Sequence, residues 1–310
     1  MKAELATDVG PLRLKNPVMP ASGTYDWFGR DPEQVSADSF GAVVTKSVTL
    51  RPQAGNPPIR VAETPSGMLN AIGIPSVGIE EFLEEVLPQY HALDPPVIVS
   101  VQAYSPRECE SMLARLSEQP RVDAVELNLS CPNLAHGTIT AQSARLSAEM
   151  VAAARGATRL PIVAKLSPNV TDIAEIARAV EEVGADALCL INTVKGMAVD
   201  VETRQALLGN RSGGLSGPAI KPIALSMVWE CYQEVDIPIV GVGGIATAED
   251  ALQFLLAGAR AVQVGTATFR EPRSLARIIA GIEEHLAQDG LHSVGELVGW
   301  CHKGRLTVGS

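Results

Sequence analysis

The chain has 310 residues, 46% of them hydrophobic and only 4% aromatic, which is ample apolar material for one large buried core. Its formal net charge is −10 at pH 7 with no Lys/Arg cluster to offset it, so a nucleic-acid partner is disfavoured electrostatically. The five cysteines (Cys109, Cys131, Cys189, Cys231, Cys301) are scattered, with no C-x-x-C and no metal-ligand spacing to the five histidines; they read as reduced thiols of a cytoplasmic protein without a metal site.

The opening residues, Met1 to Asp8, lack an apolar signal core, and no run of 18 apolar residues occurs anywhere, so neither export nor a membrane is expected. Leu5–Leu14, turning at Asp8-Val9-Gly10, reads as a β-hairpin. Beyond it, short β-branched runs alternate with amphipathic segments, the pattern of a parallel sheet. The predicted strands are Asn16–Ala21, Gly41–Ser47, Pro96–Val101, Asp123–Leu129, Pro161–Leu166, Ala187–Asn192, Ile237–Val242 and Ala261–Gly265. Predicted helices fall between them, at Ile79–Leu93, Pro106–Gln119, Ser143–Ala157, Asp172–Val183, Pro218–Glu234 and Thr247–Ala257, with Ser274–Gln288 after the last strand. Pro106 and Pro218 suit first-turn positions, and Thr247 offers a capping hydroxyl ahead of Glu249 and Asp250. About eight such units in about 250 residues is the arithmetic of a (β/α)₈ TIM barrel. No linker or composition break divides residues 1–310, so a single domain is expected, its amino-terminal hairpin plugging the mouth opposite the site.

Two connections are longer than a barrel needs: Val48 to Gly78, rich in Pro and Gly, and Val194 to Gly217. Both follow strands at the end where barrel enzymes place their sites, and long loops there cover a ligand or, in the plainer alternative, are solvated excursions. The strand ends on that side carry Ser22-Gly23, Lys46-Ser47, Ser100, Asn128, Lys165, Asn192-Thr193, Gly243-Gly244 and Gly265-Thr266. Two lysines and several carboxamides gathered on one rim make a site in this geometry. Gly243-Gly244 and Gly265-Thr266, on the last two strands, expose backbone N–H groups that can cradle a phosphate, and Gly213-Gly214-Leu215-Ser216-Gly217 adds a third glycine-rich approach. No G-x-G-x-x-G follows an early strand, so no dinucleotide fold is expected.

Lys165 lies inside the apolar run Val163-Ala164-Lys165-Leu166. A buried lysine needs an anionic partner, either a ligand such as a flavin that becomes anionic on reduction, or an acidic neighbour in a barrel-floor salt bridge. Cys131, between Asn128 and Asn133 and braced by Pro132, stands where a strand ends; the choice is between a small buried thiol and a reactive one. The flanking carboxamides favour chemistry, because Asn is costly to bury without partners. The segment after Asn133, Leu134 to Thr138, could close over a ligand, and its His136 reads as a lid or surface residue rather than a second base.

Ala21-Ser22-Gly23, Thr45-Lys46-Ser47, Asn70-Ala71-Ile72-Gly73, Asn128-Leu129-Ser130-Cys131-Pro132-Asn133, Lys165-Leu166-Ser167-Pro168, Asn192-Thr193, Gly213-Gly214-Leu215-Ser216-Gly217-Pro218, Gly243-Gly244 and Gly265-Thr266 span nearly the whole chain. As an ordered set they resemble class 1 dihydroorotate dehydrogenases, and the segment from Asn192 to Pro218 is most similar to the NAD-linked 1B catalytic subunit. The resemblance implies an FMN-containing barrel that oxidises (S)-dihydroorotate to orotate in pyrimidine biosynthesis. Cys131 would take the C5 proton while hydride leaves C6 for flavin N5. Ser22, Lys46, Ser47, Ser100, Asn128, Lys165, Ile191, Gly217, Gly243, Gly244, Gly265 and Thr266 would hold FMN. Lys46, Asn70, Ala71, Ile72, Gly73, Ile74, Asn128, Asn133, Asn192 and Thr193 would hold the substrate.

The same resemblance implies a homodimer joined by a partner subunit carrying FAD and a 2Fe–2S cluster, a heterotetramer that passes electrons to NAD. One departure stands out: where the family's third strand commonly ends in Asn and a small Ala-Gly pair, this chain has Ser100-Val101-Gln102-Ala103. Four alternatives remain open: a fumarate-linked 1A enzyme, another flavin-barrel dihydropyrimidine dehydrogenase, a phosphate-binding barrel with no redox role, and a non-catalytic scaffold that has kept the fold.

Overall fold

The computed structural model describes residues 3–25, 36–130, 132–133 and 138–303. Eight parallel strands, β1 (Val18–Pro20), β2 (Val43–Val44), β3 (Val97–Gln102), β4 (Ala124–Asn128), β5 (Ile162–Leu166), β6 (Ala187–Leu190), β7 (Ile239–Val242) and β8 (Ala259–Val264), pair in chain order around a (β/α)₈ barrel. The ladder runs from β1 through β8 back to β2. At the remaining seam, the Gly41 N–H donates to the Val18 carbonyl at 2.8 Å. A Cβ at Gly41 would stand 2.0 Å from the Asn16 carbonyl oxygen, so glycine alone lets these strands meet.

The predicted second strand, Gly41–Ser47, is interrupted. After β2 the Thr45 N–H still donates to the Ile98 carbonyl at 3.0 Å; the chain then leaves the ladder at Lys46-Ser47 and rejoins it at Val48–Thr49, again beside β3. Polar side chains replace the missing ladder bonds: the Ser100 N–H donates to Thr45 Oγ1 at 3.1 Å. The break lifts Lys46 and Ser47 onto the rim.

Helix starts follow local chemistry. Ser105, Ser143, Asp172 and Thr247 each accept an N–H from the first turn of the helix they cap, and Thr247 with Asp250 forms a reciprocal capping box. The predicted helix Ile79–Leu93 departs from regular geometry: one α turn at Ile79–Glu81, a widened turn at Phe82–Val86 and a tightened one at Leu87–Ala92. Pro88 has no N–H to give and its ring crowds the preceding turn, so the helix widens before it and tightens after it.

The core has two layers. The outer one lies between strands and helices. The inner one fills the barrel with small and branched side chains, among them Met19, Val44, Ile98, Val163 and Val240. Val9, Leu12 and Leu14, from the hairpin strands Thr7–Val9 and Leu12–Leu14, belong to the inner layer. The hairpin turn lies against Asp186 at the start of β6. The hairpin therefore plugs the amino-terminal mouth, as its sequence leads one to expect.

The two long connections are not separate excursions. Val61–Thr64, Gly67–Asn70, Gly213–Ser216 and Val194–Gly196 pair antiparallel as one four-stranded sheet over the other mouth. No described helix is long and apolar enough to cross a membrane.

Gly41→Ala should lower stability by about 2–3 kcal/mol, because the seam cannot close around a methyl group without displacing Asn16. A lowered midpoint in urea unfolding is the expected result; a midpoint equal to wild type would show that the seam yields.

Candidate active site

Side chains alternate inward and outward along each strand. On β2 to β8 the inward set rises from apolar residues (Ile98, Ala124, Val163, Ala187, Ala261) to a polar tier holding Ser100, Glu126, Lys165, Cys189 and Gln263. At the open mouth the strands end in Lys46, Asn128, Asn192 and glycines. The polar tier is where the sequence was least explicit.

Of the two partners open to Lys165, the chain itself supplies the acidic one. Lys165 Nζ donates to Glu126 Oε1 and to Gln263 Oε1, both at 3.2 Å, and Gln263 Nε2 donates to Glu126 Oε2 at 2.6 Å. The three side chains close a ring of hydrogen bonds, with Glu126 fully buried and Lys165 nearly so. Burial pushes the Lys165 pKa down, but the Glu126 carboxylate pushes it up, and the net direction is upward. The Cys189 thiol inside the barrel is pushed well above the usual thiol range, by burial first and against the pull of Lys165. It is an inert thiol.

Ser22, Ser47 and Ser100 form a chain of hydroxyls. Ser47 Oγ lies 2.9 Å from Ser100 Oγ and 3.2 Å from Ser22 Oγ, and Ser22 also donates to the Thr45 carbonyl. Ser100 thus joins the hydroxyls of the first two strand ends. Gln102, on the same face of β3, is fully buried with Oε1 unpartnered, an acceptor the sequence reading did not single out. Lys46 reaches into the mouth over Gly23. Among the described residues its ammonium has no carboxylate partner; partial dehydration, then the charge of Lys165, lowers its pKa.

The carboxamides make a continuous wall. Asn192 Nδ2 donates to Asn128 Oδ1 at 3.2 Å and to Ser130 Oγ at 3.0 Å. Thr193 packs on Gly214, which pairs with Asn70, and Asn70 Nδ2 donates to the Gly214 carbonyl. The mouth sheet thereby carries Asn70 to the side of the barrel that holds Asn192. The following residues are pinned by hydrogen bonds: the Ala71 N–H donates to the Arg60 carbonyl, the Asn56 N–H to the Ile72 carbonyl, and the Gln53 side-chain amide to the carbonyls of Gly73 and Ile74. Ile74 adopts φ 49°, a left-handed conformation rare for a β-branched residue.

Cys131 and Leu134 to Gly137, with His136, lie outside the described residues. The backbone of Pro132–Asn133 pairs antiparallel with that of Thr138–Ile139.

Opposite the carboxamide wall lies a glycine cradle. Gly244 has φ +75°, and a Cβ there would stand 2.9 Å from the Gly217 carbonyl and 2.7 Å from Lys221 Cβ. Gly217, at φ +90°, has no room for a Cβ beside Gly67, and Thr266 lies next to it. A Cβ at Gly243 would come within 3.6 Å of Ile191. Thr266 Oγ1 donates to Ser216 Oγ at 2.7 Å. Backbone kept free of side chains, at the ends of β7 and β8 and before the helix that follows Gly217, suits the close approach of a phosphate. Cradle, hydroxyl chain and interior ammonium all open on one mouth, which fits a phosphorylated ring cofactor such as a flavin mononucleotide.

A family model described as dihydroorotate dehydrogenase matches residues 4–286. Among similar proteins, the catalytic subunit of dihydroorotate dehydrogenase B (NAD(+)) from Trichlorobacter lovleyi is 47% identical over 300 residues, covering 96% of this chain and 99% of the relative. The subunits of the same name from Desulforamulus reducens and Geobacter sulfurreducens are each 48% identical, covering 97% and 96% of this chain and 100% and 98% of their own lengths.

Lys165→Met leaves the Glu126 carboxylate buried without its cation and should cost about 3–5 kcal/mol, whereas the double change Glu126→Gln with Lys165→Met should recover most of that loss. Urea unfolding of both variants checks this. A double variant no more stable than the single one would mean that the two groups do not act as a pair.

Proposed function

The chain belongs to the dihydroorotate dehydrogenase family, and we propose that it works as the FMN-binding catalytic subunit of an NAD-linked enzyme in the cytoplasm. It oxidises (S)-dihydroorotate to orotate in pyrimidine biosynthesis. The observation that carries the site reading is the pairing, at one mouth, of a lysine without a carboxylate partner among the described residues with a wall of carboxamides. Lys46 offers a charge to the substrate carboxylate, and Asn70, Asn128, Asn192 and Thr193 offer hydrogen bonds to the amide-like edges of its ring.

In this reading Gly217, Gly243, Gly244, Gly265 and Thr266 hold the phosphate of FMN. Ser22, Ser47, Ser100, Asn128, Lys165 and Ile191 hold the rest, and Lys46 serves both ligands. When bound, the flavin supplies a two-electron acceptor. Cys131 follows Ser130, whose hydroxyl is fixed by Asn192, and removes the C5 proton as a thiolate. Ala71 to Ile74 and Asn133 close on the substrate and exclude water. An unperturbed thiol ionises near about pH 8.5, so turnover rises with pH through that range unless the mouth lysines draw the value down.

The names of the relatives pair a catalytic subunit with NAD(+), which implies a separate electron-transfer subunit. We infer that this partner carries FAD and a 2Fe–2S cluster and that the assembly is built on a homodimer of this chain. No second nucleotide fold and no cluster of potential metal ligands occurs among the described residues.

Cys131→Ala should lower dihydroorotate oxidation by about 10²–10⁴ while leaving the protein yellow, since the thiol acts on the proton and not on the cofactor. Stopped-flow bleaching of the flavin band by dihydroorotate measures the step directly, and a rate within a few-fold of wild type would remove Cys131 from the role. The isolated chain should reduce small artificial acceptors but barely reduce NAD until the electron-transfer subunit is added. Rapid NAD reduction by the chain alone would overturn the partner reading, and efficient turnover with fumarate alone would place the enzyme in the 1A type.

A further inference from the structure

We propose that Glu126, together with Gln263, is the positioning residue for Lys165: the two hold two of its three ammonium N–H donors and leave the third for the flavin. This deepens the flavin-site reading above and rests on it. An ammonium carries three donors and no acceptor. Two are spent inside the chain, on Glu126 Oε1 and Gln263 Oε1 at 3.2 Å each, and the third has no partner among the described residues. Gln263 is itself held, its amide donating to Glu126 Oε2 at 2.6 Å, so neither acceptor is free to swing.

The ring is sealed from below. The Glu126 side chain is 0% exposed while that of Lys165 keeps 9%, and the amino-terminal hairpin closes the other end of the barrel. The open part of Lys165 therefore faces the mouth. This arrangement exceeds what a stability role requires, since a buried ion pair is often no better than a well-packed apolar substitute. It delivers a fixed, charged donor at the floor of the cofactor site.

The carboxylate also decides whether Lys165 is charged. The groups facing it are Glu126 from β4, Cys189 from β6 and Gln263 from β8, with Lys46 on the β2 rim adding a repulsive charge. Cys189 stays a neutral thiol, so Glu126 is the anion that opposes desolvation. Without it, burial and Lys46 both favour loss of the Lys165 proton. The Lys165 charge in turn lowers the Lys46 pKa, so losing that charge moves the Lys46 titration upward, to the same side in Glu126→Gln at the alkaline end and in Lys165→Met.

The test is potentiometry of flavin-loaded protein across pH 6 to 9, with FMN titration of the apoprotein by fluorescence. In Glu126→Gln the midpoint should match or exceed wild type at the acid end, where the ammonium persists without its counter-charge. It should fall toward the Lys165→Met value at the alkaline end, where the amine is neutral. The expected extra change is at least about tenfold in the ratio of reduced to oxidised FMN affinity, or about 30 mV for a two-electron couple. If Glu126→Gln folds poorly, Gln263→Leu removes one acceptor and the brace on Glu126 and should show the same trend with a smaller amplitude.

If Lys165→Met shifts the midpoint while Glu126→Gln and Gln263→Leu follow the wild-type pH slope and FMN affinity, the positioning role is wrong and the flavin placement stands. If wild-type apoprotein binds no FMN, or Lys165→Met leaves the midpoint unmoved, the placement itself fails and the inference with it.

Discussion

Closure of the barrel at Gly41 is the constraint on which the site depends. A sheet with a free edge between β1 and β2 would expose unpaired backbone groups and leave its inner face without a fixed diameter. One glycine N–H, meeting the Val18 carbonyl where no side chain fits, lets eight strands share an axis. Once they do, inward positions from strands far apart in sequence become neighbours. Glu126 and Gln263, 137 residues apart, then stand 2.6 Å from each other. The same closure places the ends of β7 and β8 beside the Gly217 approach, and so assembles a cradle from segments that individually read as ordinary turns.

Within that frame the two lysines differ in standing. Lys165 is tied to a carboxylate and an amide below the rim, while Lys46 lies above it with its charge unanswered by the described chain. Their mutual repulsion is tolerable because Glu126 offsets the deeper charge. A site with both ammoniums uncompensated would favour any small anion; one with a compensated floor and a free rim can place a carboxylate at one end and a hydrogen-bonded ring at the other.

Much of this was legible in the residues. Apolar runs ending in Gly, Ser, Asn or Lys marked the strands and the rim together, and Pro106, Pro218 and Thr247 marked the starts of their helical segments. What the sequence hid has physical causes. Glu126 sits as one charge in the apolar run Ala124-Val125-Glu126-Leu127, and alternation alone could have placed it inward; pairing it with Lys165 required the register of β4 against β5. The mouth sheet was unreadable because its strands are short and half-exposed: Val61–Thr64 lacks a buried face, and Gly213–Ser216 opens on two glycines, the composition of a loop. Pro88 was visible, but its effect depended on the helix being held by packing on both sides of it.

The interleaving of the two mouth connections has a consequence for how this enzyme can diverge. Side chains along a strand alternate faces with a period of two, so adding or losing one residue in either connection would invert every contact the other one makes. The connections after Val48 and after Val194 are thus inherited as a unit. Grafting one from a relative without the other, or lengthening one by an odd number of residues, would scramble Asn70 against Gly214 before it altered selectivity. Changes of substrate range are channelled into point substitutions on this sheet, or into exchange of both halves at once.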